Sequence, residues 1–184
     1  MARLYMIRHG RAAAGFGESM DPGLDELGHS QAKDVAETLV SLGPLPILTS
    51  PLKRTRETAA PLAQLWKKTP AVEEAVAEIP SPKGMTLEGR TAWLRALMAG
   101  SWRDVAYDLA AWRESVIATL AAIEADTVIF SHYVAINVAA GAALGDDRVV
   151  VFSPDNCSVT VLDVTDNGLL LVEKGHEAEL TKVN

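Results

Sequence analysis

Two histidines and a group of arginines carry the clearest chemistry in this 184-residue sequence. His9 follows the apolar run Leu4 to Ile7 within Arg8-His9-Gly10, and His132 follows the run Thr127 to Phe130 within Ser131-His132. A third short run, Ile47 to Thr49, gives way at Ser50 to a segment carrying Lys53, Arg54 and Arg56. Ligands of open α/β sheets collect beyond the carboxyl ends of the strands. Three such ends side by side would gather two imidazoles and several guanidiniums in one crevice. Guanidinium forks pair with phosphate oxygens, and a helix N-terminus adds backbone donors. The chemistry this favours is phosphoryl transfer, with the arginines stabilising charge on the equatorial oxygens. Imidazole, with an ordinary pKa of about 6.5, is a competent nucleophile at neutral pH.

Taken singly, each feature has a plainer reading. Arg8-His9-Gly10 could be a strand terminus with a turn glycine, His132 a satisfied core histidine, and Lys53 to Glu57 a solvated helix face. Their recurrence at three strand ends favours the functional reading. Competing signatures fail. Gly10 and Gly15 have P-loop spacing, but Phe16-Gly17 stands where Lys-Ser/Thr is required. No Gly-x-Ser-x-Gly nucleophile elbow occurs. His9, His29, His132 and His176 lack metal-ligand spacing, and Cys157 has no second cysteine, so neither a metal nor a disulfide is expected. Trp66, Trp93, Trp102 and Trp112 read as core or helix-packing residues.

The elements that must position these groups alternate along the chain. Leu4 to Ile7, Ile47 to Thr49 and Thr127 to Phe130 read as strands, with Val149 to Phe152 as a further candidate. Asp25 is a plausible N-cap for a helix running towards Gly43, and Ser50-Pro51 reads as the start of a second helix. Helical periodicity returns over Leu87 to Met98, Val105 to Glu124 and Val134 to Leu144. Pro70 to Lys83 reads as a short strand followed by a proline-rich loop. Val159 to Val164 and Leu169 to Glu173 flank Asn167-Gly168, a strong hairpin signal. Strands alternating with helices predict an α/β fold, a mostly parallel sheet with an antiparallel edge hairpin, in one domain over residues 1–184.

The apolar share is 48% and the charged share 22%, so a disordered or collagen-like chain is excluded. A formal net charge of -7 disfavours nucleic acid, whose backbone calls for a broad basic face. The N-terminal apolar run is too short for a signal peptide, and no later run is long enough to span a bilayer. A cytoplasmic protein without membrane contact is the expectation.

Ile7-Arg8-His9-Gly10, the segment Ser50-Pro51-Leu52-Lys53-Arg54-Thr55-Arg56-Glu57-Thr58-Ala59, and Phe130-Ser131-His132 resemble the histidine phosphatase superfamily, the phosphoglycerate mutase-like fold. Leu27-Gly28-His29-Ser30-Gln31-Ala32 resembles its first helix, and Asn156-Cys157-Ser158-Val159 its late strand. The resemblance implies a three-layer αβα fold with a mostly parallel central sheet. It implies His9 as a nucleophile that becomes phosphorylated, with Arg8, Arg54 and His132 completing the phosphate pocket and no cofactor. It also implies an acidic proton donor after the second helix. Glu78, 24 residues beyond Arg54 in a proline-flanked loop, is preferred, and Glu88 competes. Arg11 is the one polar grip in Arg11-Ala12-Ala13-Ala14-Gly15-Phe16, where mutases of the family carry a polar stretch. That departure and the short chain favour net hydrolysis of a phosphoester or phosphoramidate, on a small molecule or a phosphoprotein. The alternatives are a mutase of the same chemistry and a non-catalytic phospho-ligand binding module. The edge hairpin and exposed aromatics would allow a homodimer.

Overall fold

Asp25 accepts a hydrogen bond from Gly28 N–H and so caps α1 (Glu26–Leu39), as predicted. The computed structural model describes residues 1–178. Its other elements are β1 (Ala2–Arg8), β2 (Ile47–Thr49), α2 (Lys53–Trp66), β3 (Ala71–Val72), α3 (Leu87–Met98), α4 (Tyr107–Ala121), β4 (Thr127–Ser131), α5 (Tyr133–Leu144), β5 (Val159–Thr165) and β6 (Gly168–Glu173). The six strands form one sheet in the order β3-β2-β4-β1-β5-β6. The first four in that order run parallel, while β5 is antiparallel to β1 and β6 to β5. This is the mostly parallel sheet with an edge hairpin that the sequence predicts.

Strand alternation sorts the core into two clusters, one on each face. Leu4, Met6 and Ile129 join α4 and α5 through Val116, Leu120, Ile136 and Val138. Ile7, Val128 and Phe130 join α1 and α2 through Val35, Leu39, Leu62 and Trp66. The result is three layers, helices on both sides of the sheet. The strands β2, β4 and β1 are neighbours and parallel, so their carboxyl ends open at the same edge. Among the described residues, no helix is long and apolar enough to cross a membrane.

Two sequence expectations are corrected. Val149 to Phe152 is not a strand: both Val151 N–H and Phe152 N–H donate to Asn137 Oδ1, at 2.8 and 3.1 Å. A buried side chain on α5 thus satisfies donors that a sheet neighbour would otherwise take. The second helix begins at Lys53 with Leu52 as its cap residue, which has no side-chain cap bond. Ser50 lies outside it, and its hydroxyl is used elsewhere.

Candidate active site

The backbone of Arg8-His9-Gly10 is gripped from three distant parts of the chain. His9 N–H donates to Ser131 O (3.1 Å), and Cys157 N–H donates to Arg8 O (2.9 Å). Asn156 Nδ2 donates to His9 O (2.8 Å), and Gly10 N–H donates to Thr58 Oγ1 (3.0 Å). Thr58 in turn donates to Arg54 O on the same helix (2.7 Å). The loop after β1 then crosses α1 at close range. A Cβ at position 10 would stand 2.6 Å from Gly28 O, and one at position 28 only 2.1 Å from Arg11 O. Glycine is required at both positions by contact distance.

His9 is buried, and its Nδ1 lies 2.8 Å from Gly10 O. A carbonyl can only accept, so Nδ1 carries the proton and Nε2 keeps its lone pair. Burial, then the charges of Arg54 and Arg8, hold this imidazole well below its ordinary pKa, against the opposing pull of the Gly10 carbonyl. It is neutral at pH 7. The ring of His132 stands 5.2 Å away between centroids, tilted by 59°. Burial, followed by His9 and the same two arginines, also keeps His132 well below its ordinary pKa.

His132 Nε2 lies 2.7 Å from Ser50 Oγ, and both residues are fully buried. Ser50 Oγ also accepts from Leu52 N–H at 3.2 Å. No other acceptor meets that hydroxyl among the described residues, so its hydrogen goes to His132 Nε2, and the imidazole proton sits on Nδ1. That Nδ1–H is buried and without a partner among the described residues, as is Arg8 Nε. Ser50→Ala is expected to release this tautomer: nitrogen-15 spectra of the imidazole should move from Nδ1–H towards the Nε2–H form. An unchanged spectrum would overturn the assignment.

Arg8 donates through Nη1 to Pro154 O (2.9 Å) and lies over the Tyr133 ring, 5.1 Å from its centroid. Arg54 is buried, with Asp21 Oδ1 4.0 Å from its Nη1. Burial draws both guanidiniums below their ordinary value, and the charge of Glu78 is the strongest opposing influence on each. Both remain cations at neutral pH.

Glu78 sits at the start of α5. Its carboxylate accepts from Val134 N–H at 3.2 and 3.4 Å, two residues beyond His132, and from Ile79 N–H at 3.0 Å. Burial pushes its pKa up, outweighing those N–H groups and the two arginines. Glu88 is exposed in the first turn of α3 and has no such contacts.

The structure therefore brings together His9, His132, Arg8, Arg54 and Glu78. Arg11 does not join them: it is exposed and paired with Asp25 at 2.5 Å. Lys53 and Arg56 are exposed as well. Sequence reasoning missed Ser50, Thr58 and Asn156 as supports of the two histidines. Only their places inside the quoted motifs could have pointed to them. Among the described residues, no group of three His, Cys, Asp or Glu side chains could hold a metal ion. A groove of about 470 Å³ beside α2 and β3, lined by Arg56, Gln64 and Lys68, contains none of these groups.

Comparison with known proteins adds to this geometry. The structure is similar to the native mycobacterial glucosyl-3-phosphoglycerate phosphatase, with 25% identity and a TM-score of 0.67 over 88% of this chain and 89% of that one. It is also similar to phosphoserine phosphatase from Entamoeba histolytica in complex with 3-phosphoglyceric acid. There the identity is 22% and the TM-score 0.74, over 97% of this chain and 98% of that one, which shows a shared fold. A curated relative, the PE-PGRS family protein PE_PGRS11 of Mycobacterium tuberculosis, is 36% identical over 104 residues. That match spans 47% of this chain and 18% of the relative, so the chain covers under a fifth of its length. The model of the histidine phosphatase superfamily, branch 1, matches residues 4–176. With that match over nearly its whole length, the chain belongs to the histidine phosphatase superfamily.

Proposed function

We propose that the protein is a phosphatase that hydrolyses a phosphomonoester through a phosphohistidine on His9. The observation that carries this reading is the pair of unpartnered buried donors, Arg8 Nε and His132 Nδ1, near an imidazole whose Nε2 lone pair is free. Buried donors without acceptors are costly, and an oxyanion repays that cost. A phosphoryl group can accept from both donors and from Arg54 while its phosphorus meets His9 Nε2.

In the first step His9 Nε2 forms a bond to phosphorus and the bond to the ester oxygen breaks. Glu78, whose pKa burial raises, gives its proton in its acid form to the departing alkoxide. In the second step water attacks the phosphohistidine and loses a proton to the Glu78 carboxylate. The P–N bond breaks, inorganic phosphate leaves, and the Nε2 lone pair is restored. Arg8, Arg54 and His132 hold the transferring group in both steps.

Net hydrolysis is favoured over mutase transfer because Ala12 to Gly17 offers no polar side chain to retain a product for re-phosphorylation. The names of the mycobacterial and amoebal neighbours support a small phosphorylated molecule as substrate. The test is to mix the protein with p-nitrophenyl phosphate, quench in alkali and map the phosphate by mass spectrometry. Acid-labile phosphate on His9 is the expected result. Steady turnover with no phosphate on His9 at any time point would rule out the covalent route. Binding without turnover would mark a phospho-ligand module instead.

A further inference from the structure

Arg90, on α3, is 8% exposed and no ion pair joins it to an Asp or Glu among the described residues. Its Nε donates to Ser81 Oγ at 2.8 Å, and its Nη1 lies 3.1 Å from Met20 Sδ. The guanidinium stacks on the Phe16 ring at 4.0 Å from the centroid. A hydroxyl, a thioether and a ring face are weak compensation for a desolvated cation. Arg8 and Arg54 differ in this respect, since both feel the opposing charge of Glu78. For Arg90, burial alone acts, and it lowers the pKa.

The position of Arg90 gives this imbalance a use. Its charge acts directly on Arg54, adding to the repulsion that Arg54 feels. Met20 adjoins Asp21, whose carboxylate stands 4.0 Å from Arg54 Nη1. The loop carrying Phe16 and Met20 packs hard on α3, since a Cβ at Gly17 would come within 2.4 Å of Thr91 Oγ1. The Arg90 guanidinium is therefore held by Ser81, Met20 and Phe16 on the Arg54 side of the phosphoryl pocket.

We propose that Arg90 binds a second anionic group on the substrate, so that the protein acts on phosphomonoesters bearing a further carboxylate or phosphate. This rests on the phosphatase reading and deepens it. Bound there, the second anion would supply the counter-charge that the folded chain lacks at Arg90. The ring of Phe16 would keep the guanidinium plane oriented towards it.

The test compares substrates matched except for that group. One pair is 3-phosphoglycerate against glycerol 3-phosphate, which exchanges a carboxylate for a hydroxymethyl group. The other is propanediol bisphosphate against its monophosphate. In the unaltered protein, kcat/KM is expected to favour the member bearing the second anionic group in at least one pair by about ten- to a hundredfold. In Arg90→Met that ratio should fall close to one, chiefly through KM, while Arg90→Lys keeps part of it. The pair that responds identifies the second group as carboxylate or phosphate. A ratio near one in the unaltered protein overturns the proposal. So does a ratio that survives Arg90→Met, including an equal fall on both members, which is what a merely structural role would give. Failure of the phosphatase reading is seen separately, as absence of turnover and of phosphohistidine with p-nitrophenyl phosphate.

Discussion

His9→Ala is expected to cut kcat on p-nitrophenyl phosphate by about 10⁴-fold or more, the scale of losing a covalent nucleophile. No neighbour can replace it. His132 Nε2 is occupied by Ser50, and its Nδ1 carries the proton, so the second imidazole has no free lone pair to offer. Folding should survive, because the backbone at this position is held by main-chain and neighbouring side-chain groups and, among the described residues, the imidazole itself bonds only Gly10 O. The variant should also be less sensitive to acid. In the folded protein the pKa of His9 lies well below 6.5. The unfolded chain therefore binds more protons than the folded one as pH drops below that value, and stability falls with it. Removing His9 removes one such group and leaves His132. Thermal midpoints of the two proteins, compared at pH 7 and at about pH 5, should show a smaller drop for the variant. Turnover close to that of the unaltered protein would end the phosphohistidine mechanism.

Glu78→Gln separates the acid from the rest of the pocket. On an alkyl phosphate, whose alkoxide must be protonated to leave, kcat is expected to fall by about 10²- to 10⁴-fold. On p-nitrophenyl phosphate, whose leaving group needs no such help, the first step should fall far less. The pH profile supplies a second readout. The proposed mechanism requires His9 neutral and Glu78 protonated, and the two shifts run in opposite directions, His9 down and Glu78 up. The window of activity is thus bounded by a limb on the acid side from His9 and one on the alkaline side from Glu78. The alkaline limb should flatten in Glu78→Gln while the acid limb stays. Stability should move the other way from activity. With its pKa raised in the folded state, Glu78 draws stability down as pH rises through the interval above its ordinary value. The glutamine variant escapes that loss and should melt no lower at pH 7. An alkyl phosphatase activity within about threefold of the unaltered protein would remove Glu78 from the donor role.

Much of this site could be read from the sequence because its parts sit where local rules are strong. Arg8-His9-Gly10 and Ser131-His132 end short apolar runs that belong in a sheet, and Asp25 caps its helix as its side chain allows. What remained open depended on tertiary partners. Sequence position and the flanking prolines favour Glu78 over Glu88 without excluding the latter, and the packing of the Glu78 loop against Val134 N–H separates them. Arg11 lies as close to His9 in sequence as Ile7 does, yet Asp25 holds it at the surface. Val149 to Phe152 has the length and composition of a strand, and the competing acceptor is a side chain more than ten residues earlier, on Asn137. Ser50 has the residue type of a helix cap, but its hydroxyl serves His132, 82 residues away. Arg90 sits among helical residues with no local sign that its guanidinium would be buried against Phe16.

The place of β1 in the sheet has a consequence for how the protein is made. This strand is synthesised before the other five, yet Leu4 pairs with Thr127 on one side and Leu162 on the other. His9 therefore waits for both flanking strands, and Asn156 and Cys157, which fix its backbone, arrive almost as late. During translation an apolar strand stays unpaired until β4 and β5 emerge, an interval in which chaperone protection matters most. A message truncated before β5 would leave no partly active product. The site around His9 would be complete only once the ribosome has passed β5.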